Sequence, residues 1–234
     1  MTVDLIVKEQ DGILWASINR PTKGSSISRA VTDGYTDAVA RISSEPDLKG
    51  LVWTCESETV FSGGIDLKVP DGMSEADVAA YRVGIVRDLI DATVRCPRPI
   101  VVMARGKMLG GAFMNALLTD RIVADDSASF QLPEVKIGIA SPFTASIVET
   151  TTNAGLAYDL CMSSRRISAK ELEARGGPCT TVPTDDLRQS TIETVETLSA
   201  MPREAFAYMK RWFQSPRVAA MEAALHYAKV NPRG

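Results

Sequence analysis

Histidine is almost missing from this chain: His226, near the C-terminus, is the single one in 234 residues. Nucleophilic catalysis of the Ser-His-Asp or Cys-His type needs an imidazole base, so that chemistry has little to draw on. Cysteine is sparse as well. Cys55, Cys96, Cys161 and Cys179 lie far apart and form no CxxC pair. A zinc site therefore lacks a ligand pattern, and these residues read as reduced thiols in or near the core of a cytoplasmic protein. No apolar run approaches the roughly 18–20 residues that cross a bilayer. No Lys/Arg stripe stands out and the net charge is −3, which argues against a nucleic-acid partner. The opening residues, MTVDLIVKEQ, have no basic segment followed by an apolar core and do not read as a secretory leader.

Hydrophobic residues make up 45% and charged ones 24%, which suits one large domain, or a core domain with a small appendage. Apolar runs at 4–7 and 13–18 flank "KEQDG", a hairpin turn. The polar loop 19–28 leads into a helix over 29–43, with Ser28 as its N-cap. Strands are expected at 48–55 and 99–104, and as two short pieces within 121–132. A helix over 74–95 follows Ser74 and ends before Pro97 and Pro99; another opens in "LGGAFMNALLTD". "VFSGGIDLKVPDG" (60–72) reads as a glycine-bearing loop and "RGKM" as a turn. Helices then cover 143–162, 168–175, 184–200, 202–213 and 216–229. The alternation of strands and helices indicates an α/β core with a helical C-terminal third.

Two stretches share one physics. "FSGGIDL" places Gly63 and Gly64 after a strand, and "LGGAF" places Gly110 and Gly111 after another, at a helix start. Glycine lets backbone approach a ligand closely, and two such loops aiming N–H groups at one oxygen would form an oxyanion hole. Composition alone favours a plainer reading, in which both pairs are tight turns or packing contacts. Glu134, set between Leu132, Pro133, Val135 and Ile137, is a candidate general base if its apolar company buries it. By itself it reads as a solvated loop glutamate.

"NRPTK", "VFSGGIDL", "GKMLGGAFMNALLTDRIVADDSASFQLPEVKIGI" and "SSRRISAKELEARG" stand together in the order and spacing of the crotonase superfamily, the enoyl-CoA hydratases and isomerases, which the chain resembles over residues 1–215. The resemblance implies an α/β fold of the ClpP/crotonase type. Residues 1–180 would form a spiral of strand-strand-helix turns carrying an acyl-CoA site. Residues 181–234 would form a shortened helical C-terminal region that serves oligomerisation. It implies a homotrimer or a dimer of trimers. The ligand it implies is an acyl-CoA thioester, so that coenzyme A enters as part of the substrate, with no resident cofactor and no metal. By position, the backbone N–H groups of Ile65 and Gly111 would be the oxyanion donors and Glu134 the catalytic base. Ser25, Ser26, Gly64, Asp66, Lys68, Gly110 and Met114 would line the substrate.

The chain also departs from the family. Hydratases that it resembles place a second glutamate where this chain has Met114, and a thioether neither holds nor deprotonates water. Isomerases that move a double bond from position 3 to position 2 keep the "PE" glutamate alone, as here. Dienoyl isomerases add an aspartate where this chain has Pro142. "GIASPFTASIVETT" lacks the "PGxGGT" that often follows the "PE" loop, Ser25 stands where asparagine is common, and the closing helix is expected to be short. Glu149 is a second-acid candidate, Asp120 a structural hydrogen-bonded residue, and Arg20, Lys23 and Lys68 either phosphate contacts or solvated charges. The favoured reading is a Δ3–Δ2 enoyl-CoA isomerase working through an oxyanion-stabilised enolate. Hydration, thioester hydrolysis, decarboxylation or a carbon–carbon step are enzyme alternatives. A non-catalytic acyl-CoA-binding subunit is the alternative of another class.

Overall fold

In the computed structural model, which describes residues 3–231, β1 (Leu5–Gln10) and β2 (Ile13–Ile18) form a hairpin closed by Asp11 and Gly12, both at positive φ. Two such residues make a turn whose twist matches that of the paired strands. The turn is thus shorter than "KEQDG", and β1 continues to Gln10 rather than stopping at residue 7.

The remaining elements, in chain order, are α1 (Arg29–Ser44), β3 (Gly50–Cys55), β4 (Val60–Ser62), α2 (Glu75–Arg95), β5 (Ile100–Ala104), β6 (Lys107–Leu109), α3 (Gly111–Leu117), β7 (Arg121–Ala124), β8 (Ser129–Gln131), α4 (Pro142–Thr151), α5 (Ala154–Ser163), β9 (Arg166–Ser168), α6 (Ala169–Ala174), β10 (Cys179–Thr181), α7 (Leu187–Ser199) and α8 (Arg203–Val230). One sheet runs β1-β2-β3-β5-β7-β10 and a smaller one β4-β6-β8-β9. Each of the pairs β3/β4, β5/β6 and β7/β8 gives one strand to each sheet; after the first two the chain crosses back through a helix to the large sheet, and after the third it returns by α4 and α5 to β9 of the smaller sheet. This is the expected spiral of strand-strand-helix turns. From β2 onward the large sheet is parallel.

Strand alternation divides the core. Leu14, Ala16, Leu51, Trp53, Ile100, Val102 and Ile122 face the main cluster, beneath α1 to α5. Ile13, Trp15, Val52, Val101 and Val123 face a smaller one, closed by Leu187 and Val195 of α7. Both faces are therefore covered, as a parallel sheet requires. Position 180, the expected boundary, falls inside β10, and Met221 of α8 packs into the main cluster.

Three expectations are corrected. The helix expected over 143–162 is two, because Asn153 leaves the helical region and its side chain accepts from the Leu156 N–H at 2.9 Å to cap α5. The helices expected over 202–213 and 216–229 are one, running through Pro216. Proline removes the bond to Trp212, but both residues lie on the exposed face, so the freed carbonyl is not left in the core. Residues 60–62 and 107–109, expected as loop and turn, are β4 and β6, paired in parallel. Ser28 and Ser74 cap α1 and α2 as expected.

Candidate active site

The site begins where β4 ends. Gly63 N–H donates to Gly24 O at 2.8 Å, Ile27 N–H to Gly64 O at 2.8 Å, and Asp66 N–H to Ile27 O at 2.8 Å. These bonds make a parallel bridge between Ile27 and Ile65. Gly64 has φ +95, and a Cβ there would lie 3.3 Å from Leu109 O. The loop thus needs glycine on both conformational and spatial grounds. Among the described residues the Ile65 N–H has no acceptor.

The second glycine loop packs against the first. Gly110, at φ 50 and ψ −125, is the N-cap of α3, and its N–H donates to Gln131 O at 2.9 Å. Gly111 is the first helical residue, where the N–H has no intrahelical acceptor. A Cβ on Gly111 would come within 2.9 Å of Ile65 Cδ1. Ile65 and Gly111 are therefore in contact, and each carries a free backbone donor. A buried polar cycle holds α3 from behind: Tyr35 Oη and Thr93 Oγ1 are 2.8 Å apart, and Thr93 Oγ1 donates to Asn115 Oδ1 at 2.7 Å.

Glu134 stands over this junction. Its Oε1 is 3.1 Å from where a Gly110 Cβ would sit, and its Oε2 is buried without a hydrogen-bond partner. Burial raises the Glu134 carboxyl above its ordinary value, partly offset by its own backbone N–H. Cys161 of α5 is a close neighbour; burial, with the Glu134 charge adding to it, pushes its thiol up to about 11. Met114, one turn beyond Gly110 on α3, is buried, and its Sδ accepts from Thr144 Oγ1 at 3.2 Å. Thr144 and Ser141, at the start of α4, have hydroxyls 2.8 Å apart.

Other candidates fall elsewhere. Ser25 is buried at φ 50, and its hydroxyl accepts from Cys55 Sγ at 3.2 Å. Ser26 is half-buried beside it. Asp66 is tied to Arg20 and to the Lys68 N–H. Burial pushes its carboxyl up, but those two donors outweigh it and hold Asp66 below its ordinary value. The side chains of Lys23 and Lys68 are exposed. Arg20 corrects both expectations for it: it is neither solvated nor directed outward, but buried among Asp4, Ser26 and Asp66. Glu149 is exposed on α4. Asp120 accepts from Ile100 N–H at 2.8 Å and pairs with Lys210 Nζ at 2.6 Å, the structural role expected of it. Among the described residues no group of three or more His, Cys, Asp or Glu side chains is arranged to hold a metal. The sequence reading missed Thr144, Cys161 and the Tyr35–Thr93–Asn115 cycle. Only Asn115, a polar residue inside an apolar helical run, left a signal there.

Comparison with known proteins matches residues 8–231 to the family model for enoyl-CoA hydratase/isomerase. A probable enoyl-CoA hydratase of Mycobacterium bovis is 28% identical over 98% of this chain and 88% of its own length. A carnitinyl-CoA dehydratase of Salmonella heidelberg is 26% identical over 98% of this chain and 87% of its own. The crystal structure of an enoyl-CoA hydratase from Bacillus anthracis superposes with a TM-score of 0.79 at 25% identity, covering 95% of this chain and 91% of that one.

Proposed function

The chain belongs to the enoyl-CoA hydratase/isomerase family, and from that premise we propose that it moves a proton within an acyl-CoA thioester, shifting a double bond from carbon 3 to carbon 2 through an enolate. The carboxylate of Glu134 takes a proton from carbon 2. The electron pair left behind delocalises onto the thioester oxygen, where the N–H groups of Ile65 and Gly111 hold the charge as it develops. Glu134 then returns the proton to carbon 4, so the step is balanced and needs no water, metal or resident cofactor. Coenzyme A enters with the substrate, across the loops of Ser26 and Lys68.

One observation carries this reading. Glu134 is half-buried, and among the described residues its Oε2 is buried without a hydrogen-bond partner at the glycine junction; Asp66 is engaged with Arg20 and Glu149 is exposed. A single base suffices for a proton relay from carbon 2 to carbon 4. Hydration is the second reading, favoured by the names of the relatives. It asks for a second group to hold water, and the position that matches the hydratases' second glutamate is Met114, whose sulfur already accepts from Thr144. For assembly, Tyr208, Met209, Trp212 and Phe213 of α8 are exposed. They supply an apolar face suited to self-association, as a trimer or a dimer of trimers.

The test gives purified protein and its Glu134→Gln variant 3-hexenoyl-CoA and crotonyl-CoA, with products separated by chromatography. Native protein alone should form 2-hexenoyl-CoA and barely hydrate crotonyl-CoA. Rapid hydration with no double-bond shift would establish the second reading. Binding of both thioesters without turnover would make the chain an accessory subunit.

A further inference from the structure

We propose that Arg20 is a positioning residue, a buried clamp that locks the Ser26 loop to the Ile65 loop and so aims one of the two donors at the thioester oxygen. The inference rests on the reading of the site given above. Arg20 lies two residues beyond the end of β2 and is 6% exposed. Its Nη1 donates to both Ser26 O and Ser26 Oγ at 2.7 Å, and its Nη2 donates to Asp66 Oδ2 at 2.6 Å. Its Nε lies 3.0 Å from Asp4 Oδ2, which also accepts from Ser28 Oγ, the cap of α1, at 3.0 Å. One cation thus holds the first strand's approach, a helix cap and both loops.

The place of these contacts matters more than their number. Ser26 immediately precedes Ile27, and Asp66 immediately follows Ile65. Ile27 and Ile65 are the two residues of the cross-loop bridge. The peptide unit between Gly64 and Ile65 is planar and trans, so its C=O and N–H point in opposite directions. Its carbonyl is fixed by the Ile27 N–H at 2.8 Å. Its N–H is therefore turned away from the Ile27 loop. Any slide of the Ile27 loop against the Ile65 loop would rotate that peptide plane and swing the donor. The guanidinium bridges the two loops on either side of this pivot. Its rigid fork is what allows this, since a lysine in its place supplies charge but cannot reach Ser26 and Asp66 in one fixed geometry.

The experiment compares Arg20→Lys, Arg20→Gln and Asp66→Asn. In the Glu134→Gln background, the carbonyl stretch of bound 3-hexenoyl-CoA is read by Raman difference spectroscopy. The parent should show it lowered by the two donors, and each clamp variant should return it toward the free value. In the Glu134 background, kcat should fall about 10–100-fold, short of the roughly 100–1,000-fold that losing an oxyanion donor outright costs, while KM moves less than about threefold. Amide exchange at Ile27 and Asp66 should speed up while β3 stays protected. Arg20→Lys should restore melting temperature more than it restores kcat, which separates aiming from mere support. If Arg20→Gln fails to fold, Arg20→Lys and Asp66→Asn carry the test. Folded variants with parental kcat, carbonyl frequency and exchange would overturn the clamp. If the parent itself binds no thioester, the reading of the site has failed, and exchange at Ile27 and Asp66 alone decides the clamp: faster exchange supports it, unchanged exchange overturns it.

Discussion

Gly110→Ala is the substitution that most directly tests whether Glu134 and the glycine junction work as one site. Two costs are separable. Gly110 adopts φ 50 and ψ −125, a region that L side chains rarely occupy, which costs about 1–3 kcal/mol. At about 2–4 °C of melting temperature per kcal/mol for a chain of this size, the loss should be about 2–12 °C. The second cost is positional. The new Cβ would lie 3.1 Å from Glu134 Oε1, so the carboxylate must give by a few tenths of an ångström. With a 1 Å misplacement costing about 100-fold, a shift of that size lowers kcat by about 4–10-fold. Gly176→Ala supplies the control. Gly176 also has positive φ, +85, yet a Cβ there meets nothing within 4 Å. It should lose stability with little change in kcat. The assay is turnover of 3-hexenoyl-CoA beside a thermal melt for each protein. If Gly110→Ala melts lower but keeps native kcat, the carboxylate over Gly110 is not the base, and the site has been assembled from the wrong residues.

The pH dependence of turnover should carry the mark of the same carboxylate. Because burial raises Glu134 above its ordinary value, kcat/KM should rise with pH through an apparent pKa above the usual carboxylate range. A limb at the ordinary value would mean that the base is solvated. An acid raised in the folded state adds stability that is fully present below its unfolded pKa and is lost as pH rises through its folded pKa. Glu134→Gln should therefore flatten that decline in melts taken across pH, and an unchanged decline would point to another group. Lys210→Met strips the counterion from Asp120, whose pair is 4% and 13% exposed on its two side chains. Denaturant melts should show a loss of about 3–5 kcal/mol, and a loss near zero would mean that the buried pair is inert. Met114→Glu should raise crotonyl-CoA hydration above the native level, at some cost in stability from burying a charge. Unchanged hydration would show that the missing carboxylate is not what limits water addition.

The sequence is most legible where one residue makes a local choice. Ser28 and Ser74 announce their helices because a hydroxyl at that position answers an orphan N–H, and Asp11–Gly12 announces a hairpin because few residues accept two positive φ angles. The glycine loops are legible for the same reason, since the positive φ of Gly64 and Gly110 strains any residue that carries a Cβ. Four of the five three-residue strands, β4, β6, β9 and β10, are not. A strand that short has no period to read, and it forms only because the spiral brings a partner alongside. Pro216 misleads in the other direction, because its cost depends on whether water can reach one carbonyl, which is a tertiary fact.

The residues that prepare the site were the least legible, and their physics explains why. Arg20 looks like any charged residue beside a turn until Asp4 and Asp66, far away in sequence, converge on it. Thr144 reads as a weak helix former until Met114 Sδ is found to accept its hydroxyl. Glu134 shows the same dependence most sharply. Its neighbours in sequence include the exposed Val135 and Ile137, so local apolarity is not what shields it. Its carboxylate lies over Gly110, which has no side chain to displace it, with Cys161 of α5 close by. The basicity that the proposed reaction needs is therefore made jointly by Glu134 and by the absence of a Cβ at Gly110. On the proposed reading the two positions act as one unit, although neither discloses the other in the sequence.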